Sequence, residues 1–290
     1  MAKAQSFIGR NFFSFNGELI NLHAFEGGMV SGEVIKDSPG PDLIIRKHLG
    51  AVTYEDFVFE TGLSDKIIEL IKKSWTGENL QLPCSFITAD ANFKVDYEDS
   101  IPDWLLTETI IPPCDAASKE PAFFRLRIKP ALIRNQKGDG RLIRQQVGLR
   151  QKAMLKSNFK FELGSLPCSR IATIDSLSVK VNVSNELPGS NRVNMTANSI
   201  DFPNIFLTIS AADLKPWLDW HKQFIIDGNN SQSDELSGRL VFLAPDLHDE
   251  LLAIRLQGVG IFSLQRVMEA ADRISRFRVG LYCERMELEN

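Results

Sequence analysis

Histidine and cysteine are scarce in this chain. Four histidines (His23, His48, His221 and His248) are spread over 290 residues, and none stands at the HxxxH spacing of a zinc-ligand pair. The four cysteines (Cys84, Cys114, Cys168 and Cys283) form no CxxC pair. That argues against a zinc or disulfide framework and predicts reduced, mostly buried thiols. No GxSxG elbow, P-loop or GxGxxG turn occurs. Gly258-Val-Gly260 is only a fragment of the last pattern and reads as a strand bend. No apolar run approaches the roughly 18 residues of a membrane-spanning helix. The stretch Met1 to Phe7 lacks the apolar core of a secretion signal, so the expectation is cytoplasmic synthesis without membrane insertion. The net charge of −4 supplies no basic field for direct nucleic-acid binding. No catalytic residues, metal or cofactor are expected.

What the chain does have is material for a core: 43% hydrophobic and 24% charged residues. At roughly 100–200 residues per domain, the length suits about two domains. The two halves echo each other. Lys156-Ser-Asn-Phe-Lys-Phe-Glu-Leu163 resembles Gly9-Arg-Asn-Phe-Phe-Ser-Phe-Asn16, with Asn11 and Asn158 147 positions apart (158 − 11). Tyr54 to Thr61 resembles Phe202 to Ile209, an offset of 148 (202 − 54). Each strand-like run leads into a helix-like run, Ser64 to Trp75 and Ala212 to Ile225. Such an offset is too long for a solenoid repeat.

Phe57, Phe59 and Thr61 alternate with polar or opposite-face residues, as in a half-buried strand. Ser64 is placed to cap the next helix, Asp65 suits its positive end, and Gly77 suits its stop. The second helix starts near Asp213, with Leu214, Trp217, Leu218 and Phe224 as its apolar positions and Pro216 in its first turn. Strands are predicted at 239–244, 251–259 and 278–286. Two polar segments, 36–42 and 184–192, extend strand pairs into long arms, and surface arms of this kind often carry function. Asn135 to Gly140 reads as a turn-rich breaker. Arg141 to Lys156 contains five basic residues and no acid, which suits a solvated face or linker, or a strip docking on acidic groups.

The paired carboxylates Glu55/Asp56, Glu98/Asp99 and Asp249/Glu250 point to opposite faces if they lie on strands. Each pair therefore converges poorly on one substrate. His48 reads as an arm residue and His221 as a helix-rim residue. Trp217 and Trp220 suit core packing, with sugar or base stacking as the alternative.

Two stretches carry a resemblance. The first runs from Gly9-Arg-Asn-Phe-Phe-Ser-Phe through Phe25-Glu-Gly-Gly28, Pro41-Asp42, Lys47-His-Leu-Gly50 and Tyr54-Glu-Asp56. The second is Leu106-Thr-Glu-Thr-Ile-Ile-Pro-Pro-Cys-Asp-Ala-Ala-Ser-Lys-Glu-Pro121. Together they resemble the tail-tube-like proteins of contractile phage tails and phage-derived injection systems, the conserved phage tail region family. The match covers most of residues 7–130. The EGG turn, the KHLG arm and the YED strand are absent from the second half, which joins the same fold through the repeat alone.

The resemblance implies a mainly β (α+β) fold: two tandem antiparallel β-barrel or sandwich domains, each with one flanking helix. The expected units are residues 1–134 and a divergent 157–290, with a basic linker at 135–156. It also implies self-association into rings, with other tail tube, baseplate or spike proteins as partners and an assembled tail or injection particle as the final location. Three tandem chains would make a pseudo-six-fold ring at a tube end or baseplate hub; a stacked hexameric tube subunit is the alternative. The implied subunit interface comprises Pro41, Asp42, Lys47, His48, Leu49, Tyr54 and Asp56, with Asn194 and Phe202 in the second half. Edge strands near 57–61 and 205–209 are further expected contacts. Two readings from other classes stand beside this one. One is a β-barrel module binding a carbohydrate or lipid through Trp104, Trp217 and Trp220. The other is a hydrolase with a dispersed carboxylate site.

Overall fold

Period-two alternation of buried and more exposed side chains is clearest at Phe124–Pro130 and Ile205–Ser210. The computed structural model describes residues 10–78, 82–143, 151–152, 154–186, 194–267 and 275–289. The first unit begins with β1 (Arg10–Phe15) and β2 (Glu18–Gly27), a hairpin closed by Asn16-Gly17. Both turn residues have positive φ, 49° and 79°, as a tight two-residue hairpin turn requires. The chain then leaves in a projecting hairpin, β3 (Val30–Lys36) and β4 (Lys47–Tyr54), and returns as β5 (Phe57–Thr61).

Helix α1 (Asp65–Trp75) follows. The Ser64 hydroxyl accepts from the Ile67 N–H at 3.3 Å, and Asp65 occupies the first turn; both offset the unpaired amides of a helix start. Ile67, Leu70, Ile71 and Trp75 face inward against β8 and the last strand of the chain, and Gly77 at φ 75° ends the helix. Then come β6 (Cys84–Ala89), β7 (Val95–Ile101), β8 (Trp104–Ile111), the short β9 (Cys114–Asp115) and β10 (Pro121–Ala122), β11 (Phe124–Pro130) and β12 (Arg134–Lys137).

The strand order β7-β6-β1-β2-β5-β11-β8 curls until its two ends are one stretch of chain, 95–111. Inside lies an aromatic cluster. Phe57 stacks on Phe86 with ring centroids 4.3 Å apart, and Phe13 stacks on Phe59 at 4.9 Å. Such rings bury large areas and add pairwise stabilisation of about 0.5–1.5 kcal/mol.

The second unit comprises β13 (Met154–Leu155), β14 (Phe159–Leu163), β15 (Ile171–Ile174), β16 (Leu177–Glu186), β17 (Asn194–Asp201) and β18 (Ile205–Ser210). A 3₁₀ turn (Ala211–Asp213), α2 (Leu214–His221) and a wide turn (Lys222–Ile226) follow, then β19 (Leu236–Leu243), β20 (Glu250–Val267) and β21 (Arg276–Leu288). Trp217 is fully buried under α2, and its indole N–H donates to the Pro167 carbonyl at 3.1 Å.

The two units share their pairing scheme. β14, β15, β18, β19 and β21 take the places of β1, β2, β5, β6 and β11, and β20 alone replaces β7 plus β8. Phe57 and Ile205 open β5 and β18, an offset of 148 (205 − 57), and pair with Ile128 and Leu281. These partners pair in turn with Leu106 and Ile261. One residue is then skipped in each strand, Thr107 and Phe262, so a β-bulge recurs at the same place. A second bulge also recurs, at His23 beside β5 and at Ala172 beside β18. Bulges change strand direction at fixed sites, and two at matching positions make this a repeat of detailed geometry. Gly258, at φ 61°, stands in β20 at the position equivalent to Asp103 in the break between β7 and β8, the offset of 155 (258 − 103) that also relates Leu106 to Ile261.

The units differ at one seam. β1 and β2 are paired, whereas β14 and β15 are not, and residues 164–170 bridge a longer gap. The second unit is therefore an open half-barrel.

Several expectations need correction. β5 and β18 are interior strands, flanked by β2 and β11 and by β15 and β21, which leaves no edge at 57–61 or 205–209. Residues 135–137 lie in β12, paired with β7, where a breaker was expected. The inward faces align Phe13 and Phe15 with Phe161 and Leu163, an offset of 148 (161 − 13), so Asn11 and Asn158 are one position out of register. Leu218 is on the exposed side of α2. Residues 144–150 and 153 of the basic run, and 187–193 of the second arm, lie outside the described residues.

Candidate functional site

The arms of the two units have different surroundings. In the second unit β16 alternates Leu177, Val179 and Val181 inward with Ser178, Lys180 and Asn182 outward. That buried face lies on the first unit. β16 pairs antiparallel with β8, Leu177 opposite Ile111, Val179 opposite Thr109 and Lys180 opposite Glu108. β17 pairs on the far side of β16, so the second unit's arm extends the first unit's sheet to ten strands.

Glu108 anchors this joint. The Ser178 hydroxyl donates to its Oε1 at 2.5 Å, and Arg127 Nε donates to its Oε2 at 3.0 Å. Burial pushes the carboxyl upward, but the Ser178 and Arg127 contacts outweigh it and hold the pKa below the usual glutamate value. Other contacts tie the units together. Cys114 and Asp115 in β9 pair with β15, and the Trp75 and Phe202 rings meet edge-on at 5.9 Å.

The first unit's arm has no such seat among the described residues. β3 and β4 pair only with each other. Leu43 and Leu49 are 85% and 70% exposed. A lone two-stranded hairpin is marginal in water, and an apolar one presents a surface suited to a partner. Asp42 steadies the tip: its carboxylate accepts from the Ile44 N–H at 3.3 Å and pairs with Arg46 at 3.3 Å.

Of the residues singled out by the resemblance, Pro41, Asp42, Lys47, His48 and Leu49 lie together on this arm and are exposed. His48 Nδ1 lies 3.4 Å from Asp37. Tyr54, Asp56 and Phe202 lie elsewhere, at the roots of the arms, and are half-buried. Desolvation raises the pKa of Asp56 against the nearby charges of Arg127 and Lys129. Asn194 opens β17 opposite Glu186. The β8–β16 joint was missed from sequence, although the alternation in Leu177-Ser-Val-Lys-Val-Asn-Val183 is the signal of a strand buried on one face.

Two grooves of about 520 Å³ mark the surface. One, between α1 and the start of β20, is lined by acids and lysines including Asp65, Glu69, Lys152 and Glu250. The other follows the open edge of β14, between Phe159 and Ile171. Trp104 and Trp217 are buried with their indole N–H groups satisfied, so neither offers a stacking platform. Among the described residues no three His, Cys, Asp or Glu side chains gather as a metal site, and no helix is long and apolar enough to cross a membrane.

No protein-family model matches the chain, and no curated protein matches it. Among solved structures it is similar to a chain of the anti-feeding prophage baseplate, at 15% identity and a TM-score of 0.37, over 46% of this chain and 92% of that one. It is also similar to a chain of the anti-feeding prophage tube-terminating cap, at 13% identity and 0.41, over 48% and 94%. A third is a chain of the sheath-tube complex of the PVC extracellular contractile injection system, at 13% identity and 0.42, over 47% and 94%.

Proposed function

We propose that this chain is a ring-forming structural component of a contractile tail or injection apparatus, at a tube end or baseplate hub, with residues 1–134 and 157–290 as its two tube-like domains. The observation that carries the reading is the β8–β16 joint. Within one chain, the arm of one unit already completes the sheet of the other, while the first arm is left bare. Units joined in this head-to-tail manner form rings when the rotation closes, and closure covers strand edges that would otherwise invite aggregation.

Two unlike units per chain favour a trimer with pseudo-six-fold symmetry over a stacked hexameric tube subunit. The partners are then further copies of the chain and other tail tube, baseplate or spike proteins. The motifs at 25–28, 41–56 and 106–121 support the same reading. Mass measurement and electron-microscopy class averages of the purified protein test it. Three-chain rings are the expected result. Rings of six whole chains would count against the trimer, and a monomer at every concentration would overturn the ring.

A further inference from the structure

We infer that β3 of one chain pairs antiparallel with the free edge of β20 in the next, with Val30 opposite Leu264 and Ser31 opposite Ser263. The inference rests on the ring reading above and adds its interface and register.

The register follows from the repeat. Leu22 corresponds to Ile171, and that offset of 149 (171 − 22) persists into the arms, because Ser31 opposite Thr53 repeats Lys180 opposite Asp201. Leu106 corresponds to Ile261, an offset of 155 (261 − 106), and the shared bulge carries it to Glu108/Ser263 and Thr109/Leu264. Inside the chain, Val179 lies opposite Thr109 and Lys180 opposite Glu108. Moving both strands to their counterparts sets Val30 opposite Leu264 and Ser31 opposite Ser263.

Both surfaces are vacant among the described residues. Beyond Val259 the end of β20 pairs with β21 alone, and β3 pairs with β4 alone. Their exposure fits the vacancy. Val179 and Thr109 are 0% and 1% exposed at the filled joint, whereas Val30 is 45% exposed and Leu264 is half-buried. Phe262, on the bulge, is also exposed. Seating β3 there would remove apolar surface from water on both sides and give the bare hairpin a third and further strands, the number at which such ribbons become stable. A second copy is the occupant because the same chain supplies both halves of a joint whose counterpart is already formed within it.

The test is a double variant, V30C/L264C, oxidised under mild conditions and separated without reductant. Directly opposed strand positions bring Cβ atoms within disulfide reach. The expected product is a ladder of covalently linked chains, lost in either single variant and greatly reduced in V30C/R266C, which is two residues out of register. A second variant, V30E, at an arm position that is 45% exposed, is expected to lose assembly while the unassembled chain keeps its cooperative thermal transition. Rings without V30C/L264C linkage would overturn this pairing and leave the ring reading standing. Equal linkage by V30C/R266C would overturn the register. A monomer at every concentration would overturn both.

Discussion

Arg278 donates to the Asp175 carboxylate across the second unit's sheet, at the same place where Arg125 donates to Glu26 in the first. The correspondence holds through both strands. Asp175 stands 149 positions after Glu26 and Arg278 153 after Arg125, the offsets that the backbone pairing gives for β2/β15 and β11/β21 (174 − 25 and 281 − 128). All four side chains are largely solvent-accessible, so each pair should couple by only about 0.2–1 kcal/mol. Double-mutant cycles on R125A/E26A and R278A/D175A are expected to give similar small values that fall with salt. A coupling well above that range in one unit alone would show that the two pairs are not equivalent in environment.

Much of the repeat was legible because it lies in short apolar strands, such as Phe57 to Thr61 with Phe57, Val58 and Phe59 all buried, and in a well-marked helix start. Ser64 and Asp65 announce α1, and Phe57 to Thr61 announce β5. Leu218 was misplaced because the buried stripe of α2 is narrow: Trp217 and Phe224 are buried, and Leu218, the residue after Trp217, is turned about 100° away from it. β12 was hidden because Arg134 to Lys137 is wholly exposed, and a strand with no buried face has no periodicity to read. The joint between β8 and β16 depends on which edge meets which arm, a long-range choice that local pattern does not encode. The arm residues 41–49 stood out only through spaced motifs, since exposed polar and apolar residues side by side have no core-driven period.

Phe86 and Leu49 separate folding from assembly. Phe86 is buried among Phe13, Phe25, Phe57 and Phe59, and F86A should cost about 3–5 kcal/mol through lost burial and a residual cavity. Leu49 on the arm should cost less than about 0.5 kcal/mol as L49A. Denaturant unfolding measures both. Under the assembly reading, L49A lowers the fraction of protein in rings at unchanged stability, which sedimentation would reveal.

Gly27 offers a backbone test. It has φ 88°, and an added Cβ would lie 2.0 Å from the Asp56 carbonyl oxygen. G27A is therefore strained by both conformation and contact, and it should destabilise by more than the roughly 1 kcal/mol typical of a glycine exchange. Gly17, also at positive φ but in open space, should suffer the conformational part alone. A smaller loss for G27A than for G17A would mean that the β2–β5 contact relaxes.

Glu108 should make the joint between units acid-sensitive. Its folded pKa is held below the ordinary glutamate value by Ser178 and Arg127 despite burial. A carboxylate of this kind contributes stability above its unfolded pKa and loses it as pH falls through the folded value. Unfolding free energy should therefore drop between about pH 5 and the folded pKa, and E108Q should flatten that drop while lowering stability at pH 7. S178A should flatten it partly. An unchanged pH profile in E108Q would assign the acid sensitivity to other carboxylates, such as Glu289 between Arg255 and Arg239.

The thiols report on the closure of both units. Burial pushes Cys114 up to about 12 and Cys168 and Cys283 up to about 11, and Cys84 also lies well above its ordinary value. At pH 8 a thiol of pKa 11 is ionised to roughly one part in a thousand, and only the thiolate attacks a disulfide reagent. The native protein should thus react slowly, beginning with half-buried Cys168 beside the open seam of the second unit. Denaturation should release four fast-reacting thiols, because the unfolded pKa returns to about 8.5. Cys114 is the sharpest probe, since β9 is where the first unit's chain pairs with β15 of the second. Fast labelling of Cys114 in the folded protein would mean that this contact between units opens well before either core unfolds.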